Sequence, residues 1–285
     1  MEGVPIPEGP EMRYSADQLT PRLVGSTLVG LKPMSGGRYV DKDPEGLTAF
    51  YAAHRTGAIK ISEVSVKGKF MWWRFDHQGA PWWLWTTYGM SGRWSWAIQS
   101  GHCAFKIQFS RVDGTLDVVY FNDPRHFGTL RFTNSAEEHA QKLASLGPDM
   151  LSSPPDDVTF AECILHKPNR TIAEALMDQG TVSGIGNYLK AEILYRGGIS
   201  PHRPVTQLTA QELVDMAHHA HAVMQESYTG KGASFRSYRN PDETPGGAQF
   251  SLRVYNMKTA LCGHKVTKEK TADGRTSHWC QICQK

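Results

Sequence analysis

Three of the five cysteines in this 285-residue chain stand in its last two dozen residues, spaced to hold a metal ion. Cys262-Gly263-His264 and Cys280-Gln281-Ile282-Cys283 are two ligand pairs separated by a 15-residue spacer. Thiolate and imidazole are zinc donors, and two such pairs suit a tetrahedral ion closing a hairpin that has no apolar core of its own. The expected ligands are Cys262, His264, Cys280 and Cys283, with His278 as the substitute should His264 not bind. The enclosed loop carries Lys265, Lys268, Lys270 and Arg275 against only Glu269 and Asp273. A metal-pinned hairpin presenting cations is a device for contacting phosphates.

A second signal is Gly184-Ile185-Gly186-Asn187. Two glycines permit a sharp turn, and Asn187 is placed to cap a helix starting at Tyr188. Free N–H groups at the positive end of that helix make an anion site suited to a phosphodiester. Near the start stands Pro7-Glu8-Gly9-Pro10-Glu11, which in isolation reads as an extended prolyl leader.

The elements that must position these residues fall into two textures. From Ile59 to about Phe132, short apolar strands alternate with turn signals. Phe105, Ile107 and Phe109 keep period two, and Asp113-Gly114 joins them to Leu116–Phe121 as a hairpin. Repeated hairpins predict a β-sandwich, with a helix over Tyr14–Val24 on or beside it. After Asn134 the pattern turns helical: Ala136–Leu146, Phe160–Leu165, Thr171–Gln179, Tyr188–Tyr195 and Ala210–Ser227. Gly230–Gly247 reads as a mobile loop, and Phe250–Tyr255 as a strand entering the metal hairpin. The fold class is therefore α+β. The expected domains are a β-sandwich over 7–134, a helical domain over 135–247 and a zinc hairpin over 248–285.

Composition narrows the setting. The formal net charge is only +3, so a nucleic-acid surface must be local. Arg253–Lys285 holds seven cationic against two acidic side chains, which concentrates charge at the metal end. Cysteines outside that cluster are isolated, no apolar run reaches membrane-spanning length, and no signal-peptide pattern follows Met1. These features predict a soluble intracellular protein in a reducing compartment, with no membrane partner.

Taken together the motifs resemble those of the Fpg/Nei family of DNA glycosylases. Pro7-Glu8-Gly9-Pro10-Glu11-Met12-Arg13 is similar to the family's N-terminal catalytic signature, and Val66-Lys67-Gly68-Lys69-Phe70 to the segment bearing its catalytic lysine. Asp123-Pro124-Arg125-His126-Phe127-Gly128 resembles its DNA-wedge loop. Leu176-Met177-Asp178-Gln179 through Gly184–Leu189 resembles its helix–two-turn–helix, and Arg275 to Cys283 the end of its zinc finger. Gly186-Asn187-Tyr188-Leu189 and the Pro-Glu-Gly-Pro-Glu opening lean toward the endonuclease VIII (Nei) branch.

The resemblance implies an N-terminal β-sandwich and a C-terminal helical domain with damaged duplex DNA bound between them, one structural zinc ion, and a monomer acting on chromosomal DNA. It implies a bifunctional glycosylase and abasic-site lyase of base excision repair that removes oxidised bases. Pro7 would attack the deoxyribose C1′ as an amine, Glu8 would serve the sugar ring oxygen, and Lys69 would transfer protons near the 3′ phosphate. Arg275 would grip the flanking phosphates. Met90 would fill the vacated stack beside Arg125 and Phe127, and Asn187 would contact DNA. Pro7 follows six residues here, and an internal proline nitrogen is an amide that cannot attack. The active species is therefore expected to begin at Pro7; if Pro7 stays internal, the alternative is a catalytically silent damaged-DNA-binding protein. Ser234–Tyr238 with Pro245–Gly247 resembles the Fpg loop over oxidised purines, so the choice between oxidised purines and pyrimidines stays open.

Overall fold

Period-two alternation and turn residues build the N-terminal strands. In the computed structural model, which describes residues 7–232, 239–244 and 252–285, these are β1 (Thr27–Pro33), β2 (Ile59–Lys67), β3 (Phe70–His77), β4 (Ala80–Thr87), β5 (Arg93–Ser95), β6 (Cys103–Ser110), β7 (Leu116–Asn122) and β8 (Thr129–Thr133). They form one antiparallel sheet in the order β5-β7-β6-β1-β2-β3-β4-β8. Strands in a flat sheet lie about 4.8 Å apart, so β6 and β8, five places apart, would be separated by roughly 24 Å. Instead the rings of Phe105 on β6 and Phe132 on β8 have centroids 6.1 Å apart, and Trp73 on β3 lies 4.6 Å from Trp94 on β5. The sheet therefore doubles over itself into the expected β-sandwich, filled by aromatic side chains.

Helices α1 (Gly9–Leu23) and α2 (Leu47–His54) bury Met12, Leu19, Leu23, Leu47 and Phe50 in the same core. The helix expected from Tyr14 starts five residues earlier, because Pro10 fits a first turn whose N–H groups have no intrahelical partner. Helix α3 (Ala136–Ala144) seats His139 against Trp83, with ring centroids 4.7 Å apart.

The chain divides into two compact units. The first takes Glu11–Leu143 and, among the described residues, Pro7 and 239–244; the second takes Glu8–Pro10, Ala144 onward and the C-terminal hairpin. The second contains α4 (Asp157–Leu165), α5 (Ile172–Met177), α6 (Asn187–Arg196), α7 (Ala210–Thr229) and the hairpin β9 (Thr267–Lys270)–β10 (Thr276–Trp279). Thr171 with Glu174 and Thr209 with Glu212 form capping boxes that fix the starts of α5 and α7.

Two sequence expectations change. Residues 250 and 251 of the strand expected over Phe250–Tyr255 lie outside the described residues, and 252–255 form no strand. The N–H groups of Arg253, Val254 and Tyr255 donate instead to the buried Glu192 carboxylate at 2.9, 3.0 and 2.8 Å, which leaves none for a ladder. Half of the Gly230–Gly247 loop, including its Ser234–Tyr238 and Pro245–Gly247 segments, lies outside the described residues. Its 239–244 portion is anchored in the first unit: Glu243 accepts from Ser95 Oγ at 2.5 Å and pairs with the buried Arg93 at 3.1 Å. Among the described residues no helix is long and apolar enough to cross a membrane.

Candidate active site and metal centre

Helix α6 opens without a capping side chain of its own: its N-cap is Gly186. The cap comes from far away in the sequence. The Glu8 carboxylate, 2% exposed, accepts hydrogen bonds from the N–H groups of Gly186 (2.7 Å), Tyr188 (3.0 Å) and Leu189 (3.3 Å). A carboxylate there satisfies orphan donors and meets the positive end of the helix dipole. The turn expected to cradle a phosphodiester is thus an anion site, but its anion is Glu8. Asn187 does not cap the helix either; it is the first helical residue, and its Nδ2 donates to the Thr276 carbonyl at 2.9 Å. Side chain and backbone cannot serve both ends at once, and Glu8 already holds the donors a cap would use.

Glycine is required in this cradle for space. A Cβ on Gly186 would fall inside the Glu8 carboxylate, 2.6 Å from Oε2. Gly184 adopts φ +98°, its N–H donates to Gln179 Oε1 at 3.0 Å, and its carbonyl accepts from Gly9 N at 2.9 Å. Gln179 Nε2 donates to the Ile185 carbonyl at 2.8 Å, so one side chain braces the turn from both sides. Burial, and then the charge of Glu8, push the Tyr255 hydroxyl up to about 12, while a hydrogen bond from Asn187 opposes them.

The four expected metal ligands come together. The ligand atoms of Cys262, His264, Cys280 and Cys283 all lie within 4.8 Å of one another. A tetrahedral zinc with ordinary bond lengths has S–S edges of about 3.8 Å and S–N edges of about 3.6 Å. Cys262 Sγ lies 3.7 Å from Cys280 Sγ, and Cys283 Sγ lies 3.6 Å from His264 Nδ1. Three thiolates and one imidazole at these separations fit a single metal ion. The tight Cys-x-His pair closes the set through Nδ1, the ring nitrogen nearer the backbone. His278 takes no part: it is buried with its ring 4.7 Å from that of Tyr255, and burial with nearby Lys268 and Lys190 pushes it down to about 4.

The hairpin closed by these ligands ends in the turn Thr271–Arg275. Gly274 adopts φ +74°, and Thr271 N donates to the Arg275 carbonyl at 3.0 Å. Arg275 is exposed at this tip, next to Thr276, whose carbonyl is held by Asn187. Cys262 N donates to Tyr195 Oη at 2.9 Å, tying the first ligand to helix α6.

In the first unit Lys69 stands half-buried in the two-residue turn between β2 and β3, where Gly68 adopts φ +59°. Pro7 is buried. Met90, Arg125 and Phe127 sit on two loops tied by one acid. Asp123 accepts from Ser91 Oγ at 2.9 Å and from Gly128 N at 2.6 Å, and Ser91 Oγ accepts from Arg125 N at 3.1 Å. Gly89 approaches the Phe127 backbone so closely that a Cβ there would lie 2.6 Å from its carbonyl carbon. Phe127 is 54% exposed with the Arg125 guanidinium 5.7 Å from its ring centroid, and Met90 is half-buried. Phe127 thus presents an exposed aromatic ring beside a cation on a braced loop.

Sequence reasoning missed Lys190, Glu192, Asp273 and Asp123. Lys190 and Glu192 stand two positions apart on α6, and both are fully buried. Positions two apart on a helix point about 200° from each other, so one exposed stripe cannot hold both.

Family models and known relatives match along most of the chain. The formamidopyrimidine-DNA glycosylase N-terminal domain matches residues 6–130, and the formamidopyrimidine-DNA glycosylase H2TH domain matches residues 146–238. A formamidopyrimidine-DNA glycosylase of Xanthomonas campestris pv. campestris (strain 8004) is 30% identical, covering 98% of this chain and 100% of its own. The crystal structure of the MutM (Fpg) protein from Thermus thermophilus aligns with a TM-score of 0.78 at 27% identity over 98% of both chains. Lactococcus lactis Fpg in complex with an oxidised-pyrimidine-containing DNA aligns over 98% of this chain and 99% of that one with a TM-score of 0.80; at 23% identity this likeness concerns the fold.

Proposed function

The chain belongs to the Fpg/Nei family of DNA glycosylases, and from that premise we propose how its residues divide the work of removing an oxidised base. The protein is a DNA glycosylase of base excision repair with abasic-site lyase activity. The Pro7 ring nitrogen, once unacylated, attacks C1′ as the bond to the damaged base breaks. An α-amino group of pKa about 8 keeps a usable neutral fraction near pH 7. Opening of the sugar leaves a Schiff base, and loss of a C2′ proton then expels the 3′ phosphate. Glu8 exchanges protons with the ring oxygen, and Lys69 acts near the 3′ phosphate. Arg275 holds the phosphates flanking the lesion.

The observation that carries this reading is the Glu8 carboxylate fixed by three backbone N–H groups, one peptide bond from Pro7. A buried acid held this firmly is pre-organised for one reacting atom. Met90, Arg125 and Phe127 fill the gap left by the extruded nucleotide, and Asn187 helps hold the strand. Cys262, His264, Cys280 and Cys283 hold one structural zinc ion, whose role is to keep Arg275 on a closed hairpin. The division into 7–134, 135–247 and 248–285 then separates base extraction, strand holding and the metal-pinned clamp.

The substrate is damaged duplex DNA carrying an oxidised base, and the protein works as a monomer on chromosomal DNA inside the cell. The matched relatives carry the formamidopyrimidine name; the lean toward endonuclease VIII rests on the sequence motifs. Borohydride trapping on a duplex with one oxidised pyrimidine tests the chemistry, with protein acylated at its N-terminal amine as control. A reducible adduct lost on acylation supports the enzyme. DNA binding without an adduct favours the silent damage-binding reading, which the internal position of Pro7 brings into play.

A further inference from the structure

Helix α6 carries a charged side chain that this chemistry leaves unused. Lys190 is fully buried, and its ammonium pairs with Asp273 at 2.5 Å, itself 2% exposed at the side chain. Burial, and to a lesser extent the Arg275 charge, draws the Lys190 amine below its ordinary range, while Asp273 and Glu8 oppose that loss of charge. Burial would likewise raise the Asp273 carboxyl, but the Lys190 ammonium and hydrogen bonds from Lys190, Thr271 and Arg275 N outweigh it and hold it low. Isolated buried charges are costly, and this pair survives because each ion is answered by its partner.

The location of the pair gives it a use. Lys190 follows directly on Tyr188 and Leu189, whose N–H groups hold Glu8. Asp273 organises the hairpin tip that bears Arg275: its Oδ1 accepts from Thr271 Oγ1 at 2.5 Å and from Arg275 N at 3.3 Å. The Glu8 and Arg275 charges both act on the Lys190 ammonium. Negative and positive groups thus alternate from Glu8 through Lys190 and Asp273 to Arg275, within one unit. The Asn187 Nδ2 bond to the Thr276 carbonyl runs alongside as a second, uncharged tie.

We propose that Lys190 is a positioning residue: through Asp273 it locks the Arg275 turn to the helix end that holds Glu8, so that both act on one nucleotide. This rests on the roles assigned above to Glu8 and Arg275. A buried ion pair adds little net stability over well-packed apolar side chains, whereas losing one partner strands a charge. Function and stability can therefore be separated.

The test compares the full-length wild type, Lys190→Met, Asp273→Asn and the double variant Lys190→Met/Asp273→Leu. Zinc content and urea midpoint are checked first. Excision is then measured in single turnover on a duplex with one oxidised pyrimidine, alongside duplex affinity and amide hydrogen exchange over 186–190 and 271–276. The double variant is expected to fold and keep its zinc. Its excision rate should fall roughly 100-fold, with affinity within about threefold of wild type. Exchange should rise in both segments together. A folded double variant with wild-type excision, or with exchange unchanged in either segment, overturns the proposal. If the wild type forms no borohydride adduct, the catalytic reading fails separately, and the exchange result still decides whether Lys190 couples the two segments.

Discussion

Glu8 and Gly186, 178 positions apart in the chain, are fitted to one another: the carboxylate of the first occupies the space that a side chain on the second would need. The acid caps a helix from outside it, and the glycine leaves room for the acid. Under the proposed mechanism, the placing of the acid and the start of the helix are one contact.

Adding a single methyl group at Gly186 should displace Glu8. Gly186→Ala is expected to slow base excision roughly 100-fold, the scale of a 1 Å misplacement of a catalytic group. Single-turnover excision alongside duplex affinity checks this; a rate close to wild type would mean that the position of Glu8 does not govern chemistry.

Phe127 offers a separation of fold from function. It is 54% exposed, so Phe127→Ala should change stability by no more than about 0.5 kcal/mol. Excision from a fully paired duplex should still fall, because the wedge that offsets unstacking is gone. Excision of the same base from an unpaired strand should fall less. Equal losses on both substrates would argue against a wedge.

Metal analysis should find one zinc per chain, and Cys280→Ser or a strong chelator should remove it. Duplex affinity should weaken and its salt dependence flatten as Arg275 loses its platform. Unchanged affinity and salt slope in the metal-free protein would detach the hairpin from DNA binding.

Asp178, in the turn that follows α5, sets a pH dependence. Burial would raise its carboxyl, but the Gly180 N–H, Lys167 and Arg170 lower it to about 2. A carboxyl depressed in the folded state contributes stability above its unfolded pKa of about 3.9, and loses it as pH falls toward the folded value. Its side chain is 31% exposed, so after solvent screening the contribution is about 1–2 kcal/mol. Asp178→Asn should be less stable than wild type by that amount at pH 7 in urea denaturation. The gap should narrow as pH drops below about 4.

What could be read without coordinates was local. Phe105, Ile107 and Phe109 announced a strand by alternation, and Asp113-Gly114 its turn; all three aromatic or aliphatic side chains are fully buried, and Gly114 adopts φ +84°. The Cys262, His264, Cys280 and Cys283 cluster was legible because metal coordination calls for fixed residue types at short spacing. Long-range polar contacts left no such trace. Lys190 meets Asp273 across 83 positions, and Glu192 draws Arg253–Tyr255 out of the expected strand across about 60. Asn187 was the natural cap by residue type, yet a carboxylate from the other end of the chain holds the helix start. Propensity is overridden wherever a distant side chain makes the stronger bond.

The most direct test of the whole account is mass spectrometry of the native N-terminus on catalytically active protein, combined with peptide mapping of the borohydride-trapped adduct. The account predicts a mature chain beginning at Pro7 and a sugar remnant attached to that imino acid. Active enzyme that retains residues 1–6 and carries its adduct elsewhere, or carries none, would contradict it.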